Sequence, residues 1–210
     1  GRVMLYNGAA DIGQGSNTIM IQIAAEALGV SVEHFDYVMG DTDLTEDAGK
    51  TSASRQTYVS GRAAELAARA LRAEILKRSN AGEDSTISLS NGRVTLRDSA
   101  GEHVLELTTL KPDARGDVLS GQGSFDPPTS PLDEAGQGIP YACYGFAAQM
   151  AEVTVDVALG LVKVVRMVAA HDVGRAVNPG LVEGQIHGGI AQGLGLALLE
   201  DYVPGRTDNL

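Results

Sequence analysis

The sequence predicts an α+β fold of two small lobes, each of helices packed on a mixed sheet with hairpins. Strand and helix periodicities alternate without a βαβ repeat, and two alternating runs fold back at turn dipeptides. Residues 111–140 are rich in Gly, Pro, Asp and Ser and carry little periodicity. That stretch separates a first lobe, residues 1–115, from a second, residues 141–210, with residues 116–140 as the loop or seam.

Each element follows from a local pattern. Residues 2–6 alternate as a strand, a glycine-rich turn follows, and Ser16 or Asn17 can cap a helix whose apolar positions are Ile19, Met20, Ile23, Ala24, Ala27 and Leu28. After Gly29, residues 30–39 read as a strand that ends in the acidic loop Asp41-Thr42-Asp43, and a Ser/Thr-rich stretch runs on to Thr57. A second helix is expected over residues 59–77, alanine-rich and closely packed, with one stripe through Ala63, Leu66, Ala67, Ala70, Leu71 and Ile75. Residues 86–96 form a hairpin about Asn91-Gly92, the dipeptide that best tolerates a type I′ turn. Residues 151–158 and 161–170 form a second hairpin around Leu159-Gly160, followed by a loop over residues 171–177. A last helix starts at Asn178-Pro179, a cap plus a preset first turn, and runs toward Leu199.

The 210 residues are 43% hydrophobic, enough for a real core. A net charge of −11 argues against a nucleic-acid partner or an anionic membrane surface, since both need clustered cations. No apolar run of about 18 residues occurs, so no membrane span is expected. One cysteine, Cys143, rules out an internal disulfide and a Cys-ligated iron–sulfur cluster; it reads as a small buried residue in a reducing cytoplasm.

The chemistry concentrates in two glycine-and-glutamine segments. Gly13 and Gly15 flank Gln14 at the mouth of the first helix, where backbone N–H groups could approach a ligand and the carboxamide offers donors and an acceptor. In the last helix Gly184, Gly188, Gly189, Gly193 and Gly195 each cost about 1 kcal/mol relative to alanine. Gly184 and Gly188 share a face with Ala191 and Gly195, open to another backbone or a flat ligand, and Gln185 and Gln192 lie two turns apart along one stripe. Other signals fail on spacing. Gly49-Lys50-Thr51 lacks the first glycine of a P-loop, because Leu44 stands there, and the loop from Asp41 has Glu46 and Ser52 where calcium loops need glycine and glutamate. His34, His103, His171 and His187 are too scattered for a zinc site, and His171, beside Asp172 at a strand end, reads as a hydrogen-bonded structural histidine rather than half of a polarised pair. No residue of this chain is assigned as catalytic or as a metal ligand.

Gly13-Gln14-Gly15, then Thr51-Ser52-Ala53-Ser54-Arg55-Gln56-Thr57 before Gly61, then Asp172-Val173-Gly174 through Asn178-Pro179 to Glu183-Gly184-Gln185 and Gln192-Gly193-Leu194-Gly195, resemble one family in order and spacing. That family is the molybdenum hydroxylases. Nearly the whole chain is similar to the second molybdopterin-binding region of the large subunit of xanthine dehydrogenases and aldehyde oxidases, and Ser54-Arg55 resembles the bacterial members.

The resemblance implies a molybdopterin cofactor in its cytosine dinucleotide or a related form. It would be met by Ile12, Gly13, Gln14 and Gly15, with Ala53, Ser54, Gln56 and Thr57 wrapping pterin and phosphate and Gln185 reaching the pterin from the last helix. It implies hydroxylation of an N-heteroaromatic compound or an aldehyde with oxygen from water. The glutamate base belongs to a Gly-x-Gly-Glu motif that does not occur here, so the chain is expected to be inactive alone. Implied partners are the remaining molybdopterin-binding lobes, iron–sulfur and flavin subunits or domains and a small-molecule substrate, in an oligomer. A non-catalytic scaffold that keeps the fold without cofactor is the other expectation.

Overall fold

The computed structural model describes residues 1–207 and divides into two units, Gly1–Pro127 and Pro128–Leu210. The architecture is α+β, with strands in three separate sheets, one parallel and two antiparallel.

In the first unit β1 (Val3–Asn7) and β2 (Phe35–Met39) pair in parallel, Val3 opposite Phe35 and Asn7 opposite Met39. The crossover between them is α1 (Ser16–Leu28), so the chain does hold one βαβ unit, which the alternation of patterns did not reveal. Parallel pairing is non-local and leaves no turn signature of its own. The helix stops at Gly29, whose φ of 85° suits glycine, and its N–H returns to Ala25 O. β2 starts later than the expected residue 30, because Ser31 Oγ accepts the Glu33 N–H and winds Val32–His34 into a 3-10 turn.

Helix α2 (Gln56–Ser79) starts three residues before the expected position and ends at Asn80, a left-handed residue with φ of 51°. Its buried positions include Val59, Ala64, Ala68 and Ile75, a stripe turned from the expected one. Ile23 of α1 reaches Gly61, where an added methyl carbon would sit 2.7 Å from Ile23 Cδ1. The Ala63 and Ala67 side faces another neighbour. A strap through residues 121–125 lies on the helix backbone there, and methyl carbons added at Gly121 and Gly123 would fall 2.5 Å from Ala67 O and 2.3 Å from Ala67 N. Phe125 closes the strap edge-on against Tyr58, ring centroids 5.5 Å apart.

The expected hairpin is β3 (Thr86–Ser90) with β4 (Arg93–Asp98), turning through Asn91 and Gly92 at φ of 39° and 78°. A third strand, β5 (Gly101–Glu106), was not expected: its run is charged, and it is held by pairing with β4 and by the ion pairs Arg93–Glu106 and Arg97–Glu102. Leu96 and Val94 of β4 join Met20 and Leu28 of α1 among the most buried side chains of one core. Arg72 links the parts by donating to Leu28 O at 2.9 Å and Ser85 O at 2.6 Å.

In the second unit β6 (Phe146–Asp156) and β7 (Leu161–Asp172) form a long antiparallel hairpin with a register shift at Glu152/Val153. Asp156 Oδ1 accepts the N–H groups of Ala158 and Leu159 in its turn. Both strands outrun the expected bounds, so the loop expected from residue 171 starts after Asp172. Helix α3 (Pro179–Leu198) begins as expected: Asn178 Oδ1 caps the Leu181 N–H at 3.1 Å, with Pro179 in the first turn. Among the described residues neither the hairpin nor α3 buries a side chain. Cys143 is exposed rather than buried, in a segment with no regular structure.

Candidate functional site

Parallel pairing decides where the site can be. Because β1 and β2 run the same way, the loops that follow them leave from the same end of the sheet, the end at which open α/β units bind ligands. The first loop carries Ile12 to Gly15 into α1; the second carries Ala53 to Thr57 into α2. Thr51 Oγ1 donates to Ala10 O at 2.8 Å and joins the two. The Gln56 amide donates to Thr51 Oγ1 at 2.8 Å, and Ser60 Oγ donates to Gln56 Oε1 at 2.8 Å. Four groups from residues 10 to 60 thus form one hydrogen-bonded brace.

The first loop is shaped by Asp11. Its carboxylate accepts the N–H of Gly13 at 2.7 Å and of Asn17 at 3.1 Å. Partial burial opposes the charge, but these backbone donors outweigh it and hold the Asp11 pKa below the ordinary value. Gly13 and Gly15 sit at φ of 103° and 82°, a region that favours glycine, and Gly15 is the residue from which α1 starts. That corrects the expected cap: Ser16 lies inside the helix, buried, and its hydroxyl leans on Asp11 without a well-formed hydrogen bond. Gln14 folds back on its loop, Oε1 accepting the Ile12 N–H at 2.7 Å, and Ile12 projects into solvent, 75% exposed.

The second loop is bent by Ala53 and Ser54, at φ of 56° and 50°. Two adjacent non-glycine residues in the left-handed region carry a backbone cost of about 1–3 kcal/mol each, a feature that clusters at ligand-holding loops. Ala53, Ser54 and Thr57 are exposed at the mouth of α2, whose first turn has no side-chain cap. The N-terminus of α2 therefore opens beside one braced pair of loops, an arrangement suited to an anionic group, while that of α1 holds the Asp11 carboxylate.

The expected residues divide. Ile12, Gly13, Gln14, Gly15, Ala53, Ser54 and Thr57 lie in the two linked loops, while Gln56 is buried, its amide spent on the brace. Gln185 lies in the second unit, exposed on α3. Around it the glycines are unfilled: methyl groups added at Gly184, Gly188, Gly189 or Gly193 would meet no atom within 4 Å. His171 is the hydrogen-bonded structural histidine expected, accepting from the Gln149 amide across the hairpin at 3.1 Å. Asp11 had a sequence signal, since aspartate two residues before glycine favours a local turn, whereas the Thr51 bond spans 41 residues and left none. Among the described residues no group of three or more His, Cys, Asp or Glu is gathered as for a metal ion.

The chemistry of this donor set fits a large polar anion with a flat ring: exposed backbone N–H groups, hydroxyls, an amide and glycine gaps, with the nearby carboxylate of Asp11 turned inward. Comparison with known proteins agrees. A family model described as molybdopterin cofactor-binding domain matches residues 1–210. The chain is 32% identical over 212 residues to a xanthine dehydrogenase molybdenum-binding subunit of Escherichia coli, which covers 97% of this chain and 27% of that protein. It is 30% identical to an aldehyde oxidoreductase of Megalodesulfovibrio gigas, over 96% of this chain and 20% of that protein. The crystal structure of the aldehyde oxidoreductase from Desulfovibrio desulfuricans superposes with a TM-score of 0.74 at 34% identity, over 96% of this chain and 20% of that one. This chain thus spans about a quarter or less of the length of these relatives. The chain belongs to the molybdopterin-binding region of the molybdenum hydroxylases.

Proposed function

We propose that this chain holds the molybdopterin cytosine dinucleotide within the large subunit of a molybdenum hydroxylase, acting on an N-heteroaromatic compound or an aldehyde. The observation that carries the reading is the brace from Ala10 through Thr51 and Gln56 to Ser60, which sets the uncapped mouth of α2 beside the glycine-framed loop that leads into α1. The backbone N–H groups of the Ala53–Ser54 bend, with the Ser54 and Thr57 hydroxyls, bind the anionic and ring portions, and Gly13 and Gly15 leave room for their approach. Gln14 opens from its own loop to offer its amide, and Gln185 does so from α3. The bound group supplies the hydroxylation chemistry, with water as the oxygen source.

The general base is placed outside this chain, in the polypeptide that the relatives carry beyond the matched region, and the chain alone is inactive. Iron–sulfur and flavin partners that carry electrons away, oligomerisation and a cytoplasmic location complete the reading. The internal bonding of Gln14 and Gln56 favours a second reading, a scaffold that keeps the fold without cofactor.

The test is molybdenum by mass spectrometry and pterin fluorescence on material purified from the source cell with this chain as bait. Co-purifying molybdenum and pterin that fall at least about tenfold in Gln14→Ala and Gln185→Ala, with the melting of each variant close to that of the parent, support cofactor binding. An intact, folded chain that carries neither metal nor pterin establishes the scaffold.

A further inference from the structure

β1 is paired on one side only, and its other edge opens on an unfilled cleft. A cavity of about 900 Å³ runs beside Met4–Gly8, and a smaller one of about 410 Å³ continues beside Gly1–Tyr6, so the cleft follows the whole strand. α2 forms the floor with Ala63, Ala64, Ala67 and Leu71. The far wall is the strap, which is seated on α2 through Gly121 and Gly123 and makes no strand pairing with β1.

The wall that this cleft presents is backbone. A strand edge is a row of N–H and C=O groups, and only another extended backbone matches it in both identity and spacing. The sheet needs such a neighbour for its own sake, since parallel pairs occur almost only inside larger sheets and two strands alone are marginal. Small side chains on the floor leave room for a segment lying about 4.8 Å from β1. The related proteins carry roughly three quarters of their length outside the region matched here, which is a large source of such segments.

We infer that the cleft takes an extended segment of the remaining large-subunit polypeptide, which adds to the β1 edge as a third strand. This docking rests on the reading of the chain as one portion of a larger subunit, and it assigns the place where that portion is joined. The strand would lie between β1 and the strap, next to the loop that carries Gln14, and would stiffen the end of β1 from which that loop departs.

Hydrogen exchange read by mass spectrometry tests this, comparing the chain expressed alone with the same region in the protein as it occurs in the source cell. The amides of residues 3–8 that point away from β2 should exchange at least about tenfold more slowly in the native material. Equal exchange in the two preparations overturns the inference. A photoreactive residue at Tyr6 identifies the occupant: an adduct with sequence outside residues 1–210 supports it, and an adduct with a second copy of residues 1–210 overturns it. Molybdenum measured in the same preparation separates the two claims, because protection without molybdenum sinks cofactor binding alone and molybdenum without protection sinks strand addition alone.

Discussion

Two aspartates show how single residues set loops in this chain. Asp98 is nearly covered, its side chain 3% exposed, and accepts the N–H of Gly82 at 2.7 Å and those of Ala100 and Gly101 at 2.8 and 3.0 Å. The Gly82 N–H contributes most, burial opposes it, and the Ala100 donor, His103 at 3.2 Å and the Gly101 donor add to it, drawing the pKa to about 2. A folded pKa below the unfolded value of about 3.9 gives stability that is present above pH ~4 and lost as pH falls through about 2. Acid unfolding of Asp98→Asn should lose part of its pH dependence in that window, and an unchanged acid limb would exclude the carboxylate as a source. Asp11 acts in the same sense at the mouth of α1, with backbone donors holding it ionised. Asp11→Ala should cost about 1 kcal/mol in urea denaturation, the scale of a lost helix cap. Gln56→Ala strands the buried Ser60 hydroxyl and frees Thr51, and should cost about 1–3 kcal/mol in the same measurement.

Local elements were legible in the sequence wherever a signal lies within about ten residues. The Asn91-Gly92 turn, the Asn178-Pro179 helix start and the Gly29 stop all stand where their chemistry requires. What escaped depends on contacts between distant segments. β5 has no clean alternation and exists because β4 pairs with it, and the βαβ crossover appears only when β1 meets β2. The stripe on α2 was read one face away for a related reason: Ala63 and Ala67 are small to admit the strap, while Ala64 and Ala68 face the core. Of the site, the glycine-framed loop and the Ser/Thr segment were visible by residue type, but the brace that joins them was not. The strap supplies the test at this scale. Gly123→Ala places a methyl carbon 2.3 Å from Ala67 N, against backbone that cannot turn aside, and should destabilise the first unit by about 1–3 kcal/mol with Tyr58 and Phe125 pulled apart. Intrinsic tyrosine fluorescence and thermal melting read both effects.

At the scale of the molecule, α3 is built against its own stability. Six glycines interrupt a 20-residue helix, and four of them, Gly184, Gly188, Gly189 and Gly193, meet no atom within 4 Å where a methyl group would be added. Packing among the described residues of the second unit does not account for them, and Gln185 sits among them, so on the reading of α3 as a contact face these glycines keep it smooth. If that contact is made on assembly, the cost is present in the isolated chain and the return only in the complex, which gives one pair of substitutions two opposite signs. Gly184→Ala with Gly188→Ala should stabilise the isolated helix by about 1 kcal/mol per site, because alanine fits without a clash and restricts the unfolded chain. The same pair should lower molybdenum and pterin retention in material from the source cell, where two methyl groups hold the opposing surface off the helix. If both stability and retention rise, the glycines are neutral passengers and α3 is no part of the cofactor site. If stability rises while retention falls, the helix is a contact surface of the cofactor-bearing assembly.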